Sequence, residues 1–140
     1  SSDGFETINP NTAQTVNYGG TQAFTVTANT GYTLSSTVGG SCPAGSWSGG
    51  TYTTGTITAN CTVSFSATIN TYTVTPSSSD GFETINPNTS QAVNYGGTQA
   101  FTVTANTGYT LSNTVGGTCP AGSWSGGTYT TGTIAANCTV

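Results

Sequence analysis

The side chains with which this sequence could do acid–base or metal chemistry are few. They are the acids Asp3, Glu6, Asp80 and Glu83 and the cysteines Cys42, Cys61, Cys119 and Cys138, because Lys, Arg and His are all absent. Proton transfer and nucleophilic catalysis near neutral pH rely on His, Lys, an activated Cys or a tuned carboxylate. Asp3 and Glu6 stand three residues apart in a Gly-containing segment. That spacing carries no sign of the opposed placement across a substrate that a pair of glycoside-cleaving carboxylates needs. No catalytic residue is assigned, and the chain is not read as an enzyme. Asp3, Glu6, Asn9 and Asn11 also gather hard oxygens in one segment. Calcium takes about six to eight such ligands and this spacing matches no calcium loop. A solvated turn is the better reading, with no metal and no cofactor expected.

The cysteines come as two pairs, each 19 residues apart. Four cysteines allow three pairings, and the internal repeat described below favours the one in which Cys42 bonds Cys61 and Cys119 bonds Cys138. A bridge closing a loop of that length contributes roughly 3 kcal/mol on the chain-entropy model, and it implies an oxidising compartment. The alternative is reduced thiols buried as small hydrophobes. A zinc site lacks both histidine and CxxC spacing.

The formal charge of -4 arises without a single cation. Phosphate backbones and anionic membranes are held mainly by Lys and Arg, so nucleic acid is excluded as a partner and a membrane surface loses its main attraction. No apolar run is long enough to span a bilayer as a helix. Trp47 and Trp124, with Tyr18, Tyr32, Tyr52 and Tyr72, could form a ligand platform on which sugars stack. The plainer expectation is that Trp47 packs over the disulfide and closes a thin core. Thr25 and Thr27, Thr51 and Thr53, and Thr71, Thr73 and Thr75 put hydroxyls on one face of a strand. An ice-binding surface has that spacing, and so has any uncharged hydroxyl-rich exterior.

The elements that must position these residues follow from a repeat. Residues 1–63 recur as 78–140 with an offset of 77 and five exchanges: Ala13/Ser90, Thr15/Ala92, Ser36/Asn113, Ser41/Thr118 and Thr58/Ala135. Only 64–77 occurs once. It reads as a connector holding the last strand of the first repeat and the first strand of the second. The first repeat has no equivalent of Tyr72–Thr75 within the sequence, so that strand is expected from preceding chain or from another molecule, as in a window cut from a longer array.

Period-2 alternation dominates and no segment has a helical period. Residues 1–12 read as a short strand and a turn at Asn9, Pro10 and Asn11. Val16 and Tyr18, a Gly19–Gly20 turn, and Phe24 and Val26 read as a hairpin. Tyr32, Leu34 and Val38 fall on one face of a third strand ending at Gly39 and Gly40, and 42–50 reads as a loop around Trp47. Cys61, Val63, Phe65 and Ala67 share a face. The parity slips between Ile69 and Tyr72, where a bend is expected. So short a junction, with Phe65 and Ile69 on one side and Tyr72 and Val74 on the other, leaves no room for a flexible linker.

The runs NTYTVTPS, QTVNYGGTQAFTVT, GYTLSSTVGG and GGTYTTGTITANCTVSFSAT resemble the divergent B-type repeats related to those of the internalins, found in tandem in secreted and surface-exposed bacterial proteins. The resemblance covers each 77-residue unit nearly end to end. It implies an all-β chain of two tandem small antiparallel β domains, β-grasp-like or sandwich-like, here with one disulfide each. It also implies an extracellular or cell-surface setting. The expected role is structural, an extracellular fibre or adhesin stalk whose partners are neighbouring repeats or copies of itself. A carbohydrate-binding surface module, with glycans as partners, is the alternative.

Overall fold

The structure, a computed structural model, describes residues 3–140. It is all β, with no helix among the described residues. The chain divides into two compact units between Ile69 and Asn70, inside the connector.

In the first unit, β1 (Glu6–Asn9), β2 (Ala23–Ala28), β5 (Ser46–Ser48) and β6 (Thr51–Thr53) form an antiparallel sheet in the order β1-β2-β6-β5. The alternation puts like with like across the ladders. Ile8 faces Val26, Phe24 faces Tyr52, and Tyr52 faces Trp47, the cross-strand pairing that stabilises sheets. Two further ladders complete the unit. β3 (Tyr32–Leu34) pairs with β8 (Ala67–Ile69), and β4 (Gly39–Gly40) pairs with β7 (Val63–Ser64). Val26, Tyr52 and Phe65 are buried at the centre, with Leu34, Val38 and Trp47 packed around them.

The second unit repeats the four-stranded sheet as β10 (Glu83–Asn86), β12 (Ala100–Ala105), β14 (Thr128–Thr130) and β13 (Ser123–Ser125). Its second sheet is different. β9 (Thr71–Thr75) lies in the middle, antiparallel to β11 (Gln91–Asn94) and parallel to β15 (Cys138–Thr139). Val74, Val93, Phe101, Ile134 and Cys138 form the buried core.

Three local expectations are corrected. Val16 and Tyr18 do not form a hairpin with Phe24 and Val26, because β2 pairs with β1 and β6 instead. The glycine turn is present, with Gly20 N–H bonded to Asn17 O at 2.9 Å. The chain leaving it is tied to Ile57 by Gly19 N–H to Ile57 O (2.9 Å) and Ile57 N–H to Gly20 O (2.8 Å). The turn therefore ties the chain to the segment at Ile57 instead of opening a hairpin. Residues 42–50 are not only loop. Ser46–Ser48 and Thr51–Thr53 close a hairpin over Gly49 and Gly50, whose φ angles of 51° and 77° suit the left-handed positions of a tight two-residue turn. The third strand breaks into two short pieces at residues 35–38.

Candidate functional site

The disulfides Cys42–Cys61 and Cys119–Cys138 join residues 19 apart, with Cα atoms 4.8 and 4.9 Å from each other. They place the chain in an oxidising compartment. Cys138 is buried in the core of its unit, whereas Cys61 is only half-buried.

That difference belongs to a wider one. Two nearly identical sequences adopt different strands according to which half of the connector each holds. In the second unit Val74 is fully buried against Val93, Phe101, Ile134 and Cys138, and Thr73 N–H donates to Asn137 Oδ1 at 2.8 Å. In the first unit the counterparts are Val16, Phe24, Ile57, Cys61 and Asn60. Residues 14–17 and 61–62 are in no strand there, and these five residues line an open groove of about 710 Å³. Tyr18, beside the groove, is 85% exposed.

The converse holds at the other end of the repeat. In the first unit Phe65 is 2% exposed. Its ring stands 5.8, 5.7 and 5.6 Å from Phe24, Trp47 and Tyr52, each time edge to face. The counterparts Phe101, Trp124 and Tyr129 line a groove of about 320 Å³ in the second unit. The residues matching β3 and β4, at 109–111 and 116–117, form no strand, and Tyr109 is 51% exposed.

The acids take structural positions. Asp3 accepts hydrogen bonds from Phe5 N–H at 3.0 Å and from Ala67 N–H at 3.2 Å. The Phe5 bond first, and then the Glu6 side chain, hold its pKa below the usual aspartate value. Glu6, expected in a solvated turn, is 4% exposed and lies in β1, opposite Ala28. Asn9 lies in the same ladder, opposite Thr25. Among the described residues, no three His, Cys, Asp or Glu side chains gather as a metal cluster. No helix is long and apolar enough to cross a membrane.

Of the aromatic platform, Tyr52 is buried. Trp47 is half-buried against the core and donates Nε1–H to Ser36 O at 3.1 Å. Trp124 does the same to Asn113 O at 3.3 Å. Tyr18 is exposed, and further exposed aromatic surface lies in two stacked pairs, Phe5 on Tyr32 at 4.7 Å and Phe82 on Tyr109 at 4.3 Å. Of the connector residues, Phe65 and Val74 are buried, Tyr72 is half-buried and Ile69 is 38% exposed. Nothing in the sequence pattern marked Asn137, whose side chain stands in for a main-chain ladder group by accepting from Thr73 N–H.

No family model, no curated protein and no solved structure matches the chain.

Proposed function

We propose that the chain is structural, a tandem-repeat protein that serves outside the cell as a fibre or adhesin stalk built from neighbouring repeats. One observation carries this reading. The chain leaving the last strand of the first unit, Ala67–Ile69, becomes within two residues the central strand of a sheet in the second, Thr71–Thr75. A repeat whose central strand is delivered by the segment before it is built to be continued. The two disulfides, the absence of cations and the scarcity of acids suit an exterior that keeps its properties across changing conditions. The likeness to the internalin-type repeats supports the same role.

Electron microscopy of the purified chain with its disulfides intact tests the reading. Unbranched filaments whose width matches one unit are expected, and dispersed particles at every concentration would overturn it. A glycan array examines the second reading, for which the stacked pairs Phe5–Tyr32 and Phe82–Tyr109 supply aromatic surface. Saturable glycan binding lost on Tyr32→Ala would favour a carbohydrate-binding module instead.

A further inference from the structure

We propose that each unit is an acceptor for the connector strand, the sequence Ser64–Thr75, of another copy of the repeat. The groove of the first unit takes the second half of that segment in the manner of Thr71–Thr75. The groove of the second unit takes the first half in the manner of Ser64–Ile69. The assignment rests on the tandem-repeat reading above and adds what joins one copy to the next.

The repeat itself shows the occupant. The floor on which Val74 lies, made by Val93, Phe101, Ile134 and Cys138, is reproduced in residue type by Val16, Phe24, Ile57 and Cys61 around the open groove. Asn60 is in place to accept the N–H that Asn137 accepts from Thr73. The exchanges at this site leave the floor unchanged. Ala13 replaces Ser90, whose hydroxyl meets that of Thr75 at 2.9 Å, so one peripheral hydrogen bond is lost. Thr15 and Thr58, which replace Ala92 and Ala135, are exposed.

The mirror site obeys the same rule. Phe101, Trp124 and Tyr129 repeat the rings that hold Phe65, and Asp80 stands at the groove as the counterpart of the Asp3 that accepts the Ala67 N–H. The two halves of Ser64–Thr75 suit two different grooves, so the contact is head to tail, the kind that builds a filament unless its rotation closes a ring. Main-chain pairing gives the affinity, and the buried Val and Phe give the register.

The test uses the 140-residue chain labelled with ¹⁵N and a synthetic peptide of residues 70–76. Saturable shifts are expected at the amides of Val16, Phe24, Ile57 and Cys61 and not at Val93, Phe101 and Ile134. The peptide carrying Val74→Asp should bind at least about tenfold more weakly, as the loss of a fully buried valine requires. A second protein, with residues 70–76 fused ahead of Ser1 through a flexible linker, raises the effective concentration so that weak binding is still seen. Its first unit should melt at a higher temperature than in the same fusion carrying Val74→Asp. A peptide of residues 63–69 should shift the Trp124 indole signal, and Phe65→Ala in that peptide should abolish the shift. No saturable shift together with equal melting of the two fusions would overturn the assignment, as would equal binding of the Asp peptide. Peptide binding without filaments keeps the grooves and defeats the fibre. Filaments without peptide binding defeat the grooves.

Discussion

Replacing Phe65 by Ala removes the one ring that Phe24, Trp47 and Tyr52 all contact edge-on, at 5.6 to 5.8 Å. A buried Phe→Ala change costs about 3–5 kcal/mol. Each lost edge-to-face pair is worth roughly 0.5–1.5 kcal/mol beyond its area, so the upper half of that range is expected here. A domain the size of the first unit has about 3–10 kcal/mol in total at roughly 0.05–0.15 kcal/mol per residue. The variant should therefore stand near the edge of unfolding, with its melting temperature lower by at least about 15 °C. Trp47 reports the change from within the site, and Trp124→Phe removes the signal of the other unit. Among the described residues the second unit holds no counterpart of Phe65, so its melting, followed by amide NMR signals, should not move and supplies the control. A loss under about 1 kcal/mol, or an equal fall in both units, would refute the claim that this ring closes the core of the first unit.

Cys61 is half-buried and Cys138 buried, so a mild reductant should open Cys42–Cys61 first, read by mass mapping of alkylated thiols. Removing that pair as Cys42→Ala/Cys61→Ala should cost roughly 3 kcal/mol in the first unit, measured by urea unfolding. The folded pKa of Asp3 lies below its unfolded value. Its contribution to stability is therefore present above about pH 4 and lost as pH falls through the folded pKa. Asp3→Asn should flatten the acid limb of the melting temperature of the first unit, while between about pH 5 and 9 the unmodified chain should show little change. A Cβ at Gly45 would collide with Thr53 O, whereas one at Gly49 meets nothing within 4 Å. Gly45→Ala should cost at least about 2 kcal/mol and Gly49→Ala about 1 kcal/mol for its positive φ, compared by thermal melts.

What the sequence reveals and what it hides divide along one physical line. Alternation tells which side of a strand is apolar, so the inward Val26, Phe65 and Val74 and the short strands were legible, as were the cysteine pairs from the repeat. Alternation does not name the neighbouring strand. Residues 14–17 and 91–94 differ at one position, Thr15 against Ala92. Only 91–94 is a strand, because only there does Thr71–Thr75 lie alongside. The false hairpin at Gly19–Gly20 has the same origin, since the turn is local but its partner, Ile57, is not. The hairpin at Trp47 was available in principle. Ser-Trp-Ser, two glycines and Thr-Tyr-Thr are the pattern of a tight two-residue turn. The turn formers crowded around Trp47 suit a loop equally well.

The parallel pairing of β9 and β15 sets how the second unit meets mechanical load. The first and last described strands of the unit lie side by side in one direction. Thr73 N–H to Asn137 Oδ1 (2.8 Å), Val140 N–H to Thr75 O (3.0 Å) and Ser77 N–H to Val140 O (2.7 Å) tie the two segments together. Pulling residue 70 away from residue 140 slides these strands past each other, so the bonds are loaded together rather than one at a time as in a peeled hairpin. In a pulling experiment the unit should yield in a single abrupt rupture. The loop closed by Cys119–Cys138 should then stay out of the released length.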